Sequence, residues 1–411
     1  MEAKFKEIGG GVTAPKGYEA SSVVCGIKDS RSQKKDLALV YSEVPAVAAG
    51  AFTVNRIKAA PVIVSAAHLR GREVRAIIAN SGNANACTGP HGILDAKAMT
   101  NTVSAELGVK PNQVLVCSTG IIGVPMPMER ILPRIPDLIK QRSARGSKGA
   151  AEAIMTSDTR SKSVALKMKL GGKEVRLGAI AKGAGMICPN MATMLCFVTT
   201  DAVIDRSELK KATLEAVGES FNRISVDGDM STNDSVVVLA NGAAKNKLIE
   251  NGSKSARKFR TALSWLMLKL AKMIVKDGER VTKFVVVKVF GARTFADARK
   301  VAESVANSTL VKCSWNGNDP NWGRIIDAIG YSGADVQEDM VDIGFNGMTA
   351  CSHGMAADTP VKQLERAVSK ESFSVSINLN LGNADYTAYT SDLSPEYVDF
   401  NRAEYAVSRL R

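Results

Sequence analysis

The chain has 411 residues, 45% of them apolar and 23% charged, a balance that excludes a mostly disordered polymer and calls for two or so sizeable lobes. Lys and Arg number 54 against 41 acids, a net charge of +13 that favours anionic partners. No apolar run reaches the ~18–20 residues of a membrane helix, and MEAKFKEIGGG lacks the apolar core of a signal peptide, so neither a membrane nor export is expected.

In chain order, short apolar strands are expected at LALVYS (37–42), PVIVS (61–65), VRAIIAN (74–80) and QVLVC (113–117). A helix over 94–108 ends at Gly108. The basic stretch KQRSARGSKG, with Lys140, Arg142, Arg145 and Lys148, reads as a solvated surface loop rather than a nucleic-acid patch, because no recognition motif or aromatic interleaving accompanies it. MLCFVTT, after Thr193, is consistent with a buried strand, although periodicity alone leaves a helix open. Ser207 can cap a helix running toward Phe221. Phe259, Leu263, Leu266, Leu270, Met273 and Ile274 form a helical stripe closed by Gly278. KFVVVKVFG (283–291) is a strand, Thr294 caps the next helix, and TLVKCSW returns to extended structure. The pattern is α/β, with helices covering sheets.

Seven scattered cysteines without a CxxC pair point to a reduced, cytoplasmic protein. Three distant histidines give no local support to a metal site or a Ser-His-Asp triad. Asp227, Asp229 and Ser231 imitate the start of a calcium loop, but Thr232 stands where that loop needs glycine and no Glu follows at its twelfth position; calcium is rejected. Thr193 lies where a glycine-rich loop, IAKGAGMICPNMA, meets the apolar run. From the residues alone, a strand that happens to begin with threonine is the more economical reading.

The wider sequence alters that reading. KGAGMICPNMATML resembles the self-cleavage segment of the ornithine acetyltransferase family, also called bifunctional glutamate N-acetyltransferases. The similarity continues through GVTAPKGY, AAGAFTVNRIKAAPV, NSGNANACTG, STGIIGVPMP, AEAIMTSDT, SFNRISVDGDMSTND, LAKMIVKDGE and NDPNWGRI, across nearly the whole chain. The resemblance implies a four-layer α/β/β/α sandwich of the self-processing N-terminal-nucleophile kind. The chain is then cut at Ala192–Thr193 into an α chain, 1–192, and a β chain, 193–411, assembled as an α₂β₂ heterotetramer.

The physical logic of such a cut is direct. A hydroxyl needs a base to act as nucleophile. A free α-amine, with a pKa near 7.7–8.0, supplies one within the same residue, whereas Lys182 would need a depression of roughly 3 units. The small Ala192 leaves room for attack by the Thr193 hydroxyl on its carbonyl. Cys188 and Cys196 are nearby rivals, but neither stands at the scissile position.

By resemblance, Thr119 and Gly120 form an oxyanion hole, and Thr156, Lys182, Thr193, Glu279 and Asn401 bind substrate. Lys182 suits a carboxylate and Glu279 the side-chain ammonium of ornithine. The implied reaction moves acetyl from N2-acetylornithine to glutamate through acetyl-Thr193. No metal or organic cofactor is needed, and acetyl-CoA is a candidate second donor. A self-processing amidohydrolase or aminopeptidase with the same threonine is the alternative. Two departures from the family stand out. Arg280 and Val281 replace the usual Gly-Ala after the DGE motif. Tyr405, Ala406, Val407, Ser408 and the extension to Arg411 replace the usual ending, and Ser408 poorly matches its terminal hydroxyl.

Overall fold

The computed structural model describes residues 4–71, 73–188 and 194–404. These form two compact units, one comprising described residues of 1–183, 190–222 and 230–274, the other those of 184–189, 223–229 and 275–411. This division follows packing, and differs in kind from the expected covalent division at Ala192–Thr193, which lies outside the described residues.

The first unit contains β1 (Phe5–Ile8), β2 (Tyr18–Val23), β3 (Leu37–Phe52), β4 (Val74–Asn80), β5 (Val114–Ser118), β6 (Lys162–Leu170), β7 (Lys173–Lys182), β8 (Leu195–Thr200) and β9 (Ser235–Ala240). Their order is β1-β6-β7-β8-β9-β3-β4-β5, with β2 also on β3. The 16-residue β3 belongs to two sheets. Its first part pairs with β2 and β4, and its last part, from Val47, with β9. The register slips between Tyr41 and Ala46, around exposed Glu43, Val44 and Pro45. A strand bent in this way turns one sheet over another.

Period-two alternation then sorts the side chains. Ala38, Val40, Ile77, Ala79, Leu115 and Cys117 share a core with Ile180, Leu195, Phe197, Val237 and Leu239 of the other sheet. Their alternates Leu37, Leu39, Ala76, Ile78, Val114 and Val116 pack with Val64, Met99, Val103 and Leu138 from helices. On the far sheet, the helix Arg206–Gly218 packs on β3 and β9, and Trp265 of the helix Lys254–Lys276 meets Phe5 of β1 with ring centroids 4.9 Å apart. Helix, sheet, sheet, helix: the expected α/β/β/α layering is present.

The second unit holds β10 (Phe284–Ala292), β11 (Asp342–Phe345), β12 (Met348–Ser352), β13 (Met355–Ala356), β14 (Ser372–Asn378) and β15 (Ala384–Ser391), ordered β13-β12-β11-β14-β10-β15. One face, with Val285, Val287, Val375 and Ile377, packs with Val301, Val305, Trp315 and Ile325 of the covering helices.

Three expectations need correction. PVIVS lies in a helix, Ala60–His68, where Pro61 occupies a first-turn position that needs no N–H. TLVKCSW is also helical, within Thr309–Asn316; Ser308 caps it through the Val311 N–H, and Val311 and Trp315 bury one face. The cap before Glu208 is Asp205, which accepts the Ser207 and Glu208 N–H groups; Ser207 is inside the helix, which stops at Gly218. The strands at 37–42, 74–80, 113–117, 195–200 and 283–291 stand, as do the Gly108 stop and the Thr294 cap. Of the helical stripe, Phe259, Leu263, Leu266, Leu270 and Ile274 are fully buried, while Met273 is half-buried. No helix among the described residues is long and apolar enough to cross a membrane.

Candidate active site

In the first unit, β7 ends at Lys182, a side chain only 2% exposed. Its ammonium donates to the Thr156 hydroxyl at 2.8 Å and to the Thr119 hydroxyl at 3.3 Å. Three of the expected residues are thus brought together. A fourth group, Asp158, fixes them. Its Oδ1 accepts from Lys162 Nζ at 2.6 Å and from the Gly183 N–H at 2.7 Å, while Oδ2 accepts from the Thr156 N–H at 3.0 Å. Burial alone would push this carboxyl up. The charges of Lys182 and Lys162 and the Gly183 N–H prevail, and its pKa is lowered to about 2. An ionised carboxylate here opposes any use of Lys182 as a neutral base.

Thr119 and Gly120 follow β5 directly. The Thr119 N–H is taken by Asn80 O at 3.0 Å, so this residue offers its hydroxyl. Gly120 has φ +135°, and a Cβ there would sit 2.3 Å from the Gly82 carbonyl carbon. Only glycine fits. Among the described residues no acceptor takes the Gly120 N–H, which leaves a donor for a developing oxyanion. Asp234, fully buried, accepts the Met194 N–H at 3.0 Å; burial pushes its carboxyl well above the usual range, against the Met194 N–H and the charge of Lys182.

In the second unit, Glu279 is half-buried. Its N–H donates to Ala184 O at 3.0 Å, and its Oε2 accepts from Asn401 Nδ2 at 3.1 Å. Asn401 also donates to Tyr397 O at 3.0 Å. The Glu279 carboxylate lies directly over Gly185, where an added Cβ would stand 2.5 Å away. Asp227 anchors backbone, accepting the Met186 and Ile187 N–H groups at 2.6 and 2.8 Å. Among the described residues no group of three or more His, Cys, Asp or Glu could hold a metal ion.

Ala192 and Thr193 lie outside the described residues, as do Tyr405, Ala406, Val407, Ser408 and Arg411. Of the rival thiols, Cys188 is half-buried, and Cys196 is buried with its pKa pushed far up by that burial. Arg142, within the basic stretch, is engaged: it pairs with Glu19 at 3.0 Å and stacks on Tyr41, 5.0 Å from the ring centre.

The sequence matches the ArgJ family over residues 19–407. The chain belongs to the ArgJ family. The Geobacter sulfurreducens relative, "Arginine biosynthesis bifunctional protein ArgJ", is 47% identical over 391 residues, 95% of this chain and 99% of that protein. The Methanocaldococcus jannaschii "Glutamate N-acetyltransferase" is 45% identical over 415 residues, 98% of this chain and 100% of that protein. Among solved structures, an ArgJ protein from Bacillus halodurans is 39% identical over 50% of this chain and 97% of that chain, with a TM-score of 0.49. Asp158 and Asp234 were inside motifs noted above, yet their roles escaped the sequence reading. The usable signal was a carboxylate two residues from Thr156 and four from Lys162.

Proposed function

We propose that this chain cuts itself between Ala192 and Thr193 and then uses Thr193 to carry an acetyl group. It is an acyltransferase of arginine biosynthesis, a glutamate N-acetyltransferase, as its ArgJ relatives are named. The observation that carries the reading is the buried junction of Lys182 with the Thr156 and Thr119 hydroxyls, next to the unclaimed Gly120 N–H.

Self-cleavage begins with attack of the Thr193 hydroxyl on the Ala192 carbonyl. The acyl group moves from nitrogen to oxygen, and water hydrolyses the ester to free the Thr193 amine. In turnover that amine takes the hydroxyl proton while the oxygen attacks the acetamide carbonyl of N2-acetylornithine. The Thr119 hydroxyl and Gly120 N–H receive the oxyanion; one such donor is worth about 10²–10³ in rate. Collapse breaks the C–N bond, the ammonium proton goes to the leaving nitrogen, and ornithine departs. The amine of glutamate then attacks the acetyl ester, forms N-acetylglutamate and returns the hydroxyl.

Lys182 holds the substrate carboxylate, and Glu279, braced by Asn401, holds the ornithine ammonium. No metal or organic cofactor enters these steps; acetyl-CoA serves as an alternative acetyl donor. The α₂β₂ assembly and a cytoplasmic setting follow from the resemblance. Intact mass and N-terminal sequencing test the reading, with one fragment expected to begin at Thr193. Thr193→Ala is expected to stay uncut and to lose activity by more than about a thousandfold. A fully active single polypeptide would overturn the reading. Release of acetate in place of N-acetylglutamate would make the chain an amidohydrolase.

A further inference from the structure

Arg280 occupies a backbone conformation that favours glycine, with φ +55°. A long L side chain there is strained, and such strain persists where surrounding contacts hold it. The contacts are specific. Ser394 Oγ donates to Arg280 O at 2.7 Å, and the following Thr282 N–H donates to Asp392 at 2.9 Å. The guanidinium lies over the Phe400 ring, 4.9 Å from its centre. Phe400 belongs to the helix Pro395–Glu404 and immediately precedes Asn401, whose amide bonds the Glu279 carboxylate. Two consecutive residues, Glu279 and Arg280, therefore grip two consecutive residues of one helix, Phe400 and Asn401. Glycine at 280 would satisfy the backbone but would remove the guanidinium from the face of the Phe400 ring.

We infer that Arg280 is a positioning residue for donor recognition: its stacking on Phe400 holds the C-terminal helix so that Asn401 keeps the Glu279 carboxylate in place. The inference rests on the reading of Glu279 as the partner of the substrate's side-chain ammonium. It also gives the Arg-for-Gly departure a consequence: where glycine would leave the helix free of this contact, Arg280 ties the helix to the residue beside Glu279.

The test uses the processed full-length enzyme, with N2-acetylornithine as donor and hydrogen exchange of 395–404 as a readout independent of activity. Arg280→Gly relieves the backbone while removing the stack. It is expected to raise the donor KM about two- to fivefold, leave kcat within about twofold, and speed exchange across the helix. Tm is expected to hold or rise. Phe400→Leu should reproduce the KM and exchange effects. The double variant should be no worse than the poorer single, because both remove one contact. A lowered Tm with unchanged KM and unchanged exchange would reduce Arg280 to a structural residue and overturn the inference; so would effects that multiply in the double variant. Glu279→Gln separates the two readings. If it leaves the donor KM unchanged while Arg280→Gly still speeds exchange, the role given to Glu279 fails although the grip on the helix stands.

Discussion

Each unit buries a lysine beside carboxylates, and the outcomes are opposite. In the first, Lys162 touches Asp158 at 2.6 Å with both side chains wholly buried, and Lys182 adds its charge; the carboxyl is lowered to about 2. In the second, Lys312 is also buried but donates to the Thr390 hydroxyl at 3.0 Å and to Ser391 O, and among the described residues no carboxylate oxygen contacts it. Burial lowers its pKa to about 8, only partly offset by the charges of Asp392 and Asp227. Asp392 meanwhile accepts from Thr282, Lys283 and Asn316. Acidic residues near a buried cation are therefore not enough. The carboxylate in direct contact with an ammonium is held ionised, whereas carboxylates occupied elsewhere only partly offset the burial of Lys312.

The sharpest way to break this contrast is to remove Asp158. Asp158→Ala removes the carboxylate that Lys162 contacts in a fully buried site, and breaking such a pair costs about 3–5 kcal/mol. It also frees the Gly183 and Thr156 N–H groups, so the alignment of Lys182 should go with the stability. Urea titration would measure the loss; a loss under about 1 kcal/mol would mean that the pair contributes no more than a surface contact. The wild type has a matching acid signature. A depressed carboxyl stabilises the fold above its unfolded pKa, near 3.9, and that contribution of about 2 kcal/mol disappears as pH falls through about 2.

Lys312 should give a slope of the same sign in a higher pH window. Its folded pKa lies below that of a free lysine, so the unfolded chain binds more protons between about 8 and 10.4. Stability from this group then rises with pH, by at most about 1.4 kcal/mol per unit. Lys312→Met should flatten that rise in urea midpoints measured at successive pH values. An identical slope in the variant would show that another group titrates there.

These clusters were only half legible in the sequence. Lys182, Thr156 and Thr119 were placed by motif, and the fold brings the three side chains together at the end of β7. Asp158 was unread because its meaning comes from three partners that a turn, a strand end and Lys162 bring to it, and no spacing rule encodes that convergence. The fold shows the same boundary. The near-continuous apolar runs of VRAIIAN and QVLVC could be read as strands because both faces of that sheet are buried, each against a different core. PVIVS, equally apolar and β-branched, became a helix because five residues cannot display a period and the flanking alanines, with Pro61 in the first turn, extend it to nine. TLVKCSW failed for the same reason, its Ser308 cap being the overlooked sign.

The smallest stability effect, and the one that best isolates the second unit's role, is expected from Gly185→Ala. Gly185 is outside the left-handed region, so alanine can take its backbone conformation, and the stiffer unfolded chain favours the variant by roughly 0.4–1 kcal/mol. The new methyl, however, would begin 2.5 Å from the Glu279 carboxylate, closer than any real contact. The carboxylate is the end of a flexible side chain and can move, so the fold survives while its bond from Asn401, 3.1 Å in length, is strained or lost. If Glu279 binds the donor's ammonium, loss of that charge-assisted contact corresponds to about 1.5 kcal/mol, or roughly a tenfold rise in donor KM with little change in Tm. In the first unit no comparable separation is available, because Asp158 supports both the fold and Lys182. A Gly185→Ala enzyme with an unaltered donor KM would mean that the Glu279 carboxylate can leave its place without consequence, and the second unit's part in donor recognition would have to be assigned to other residues.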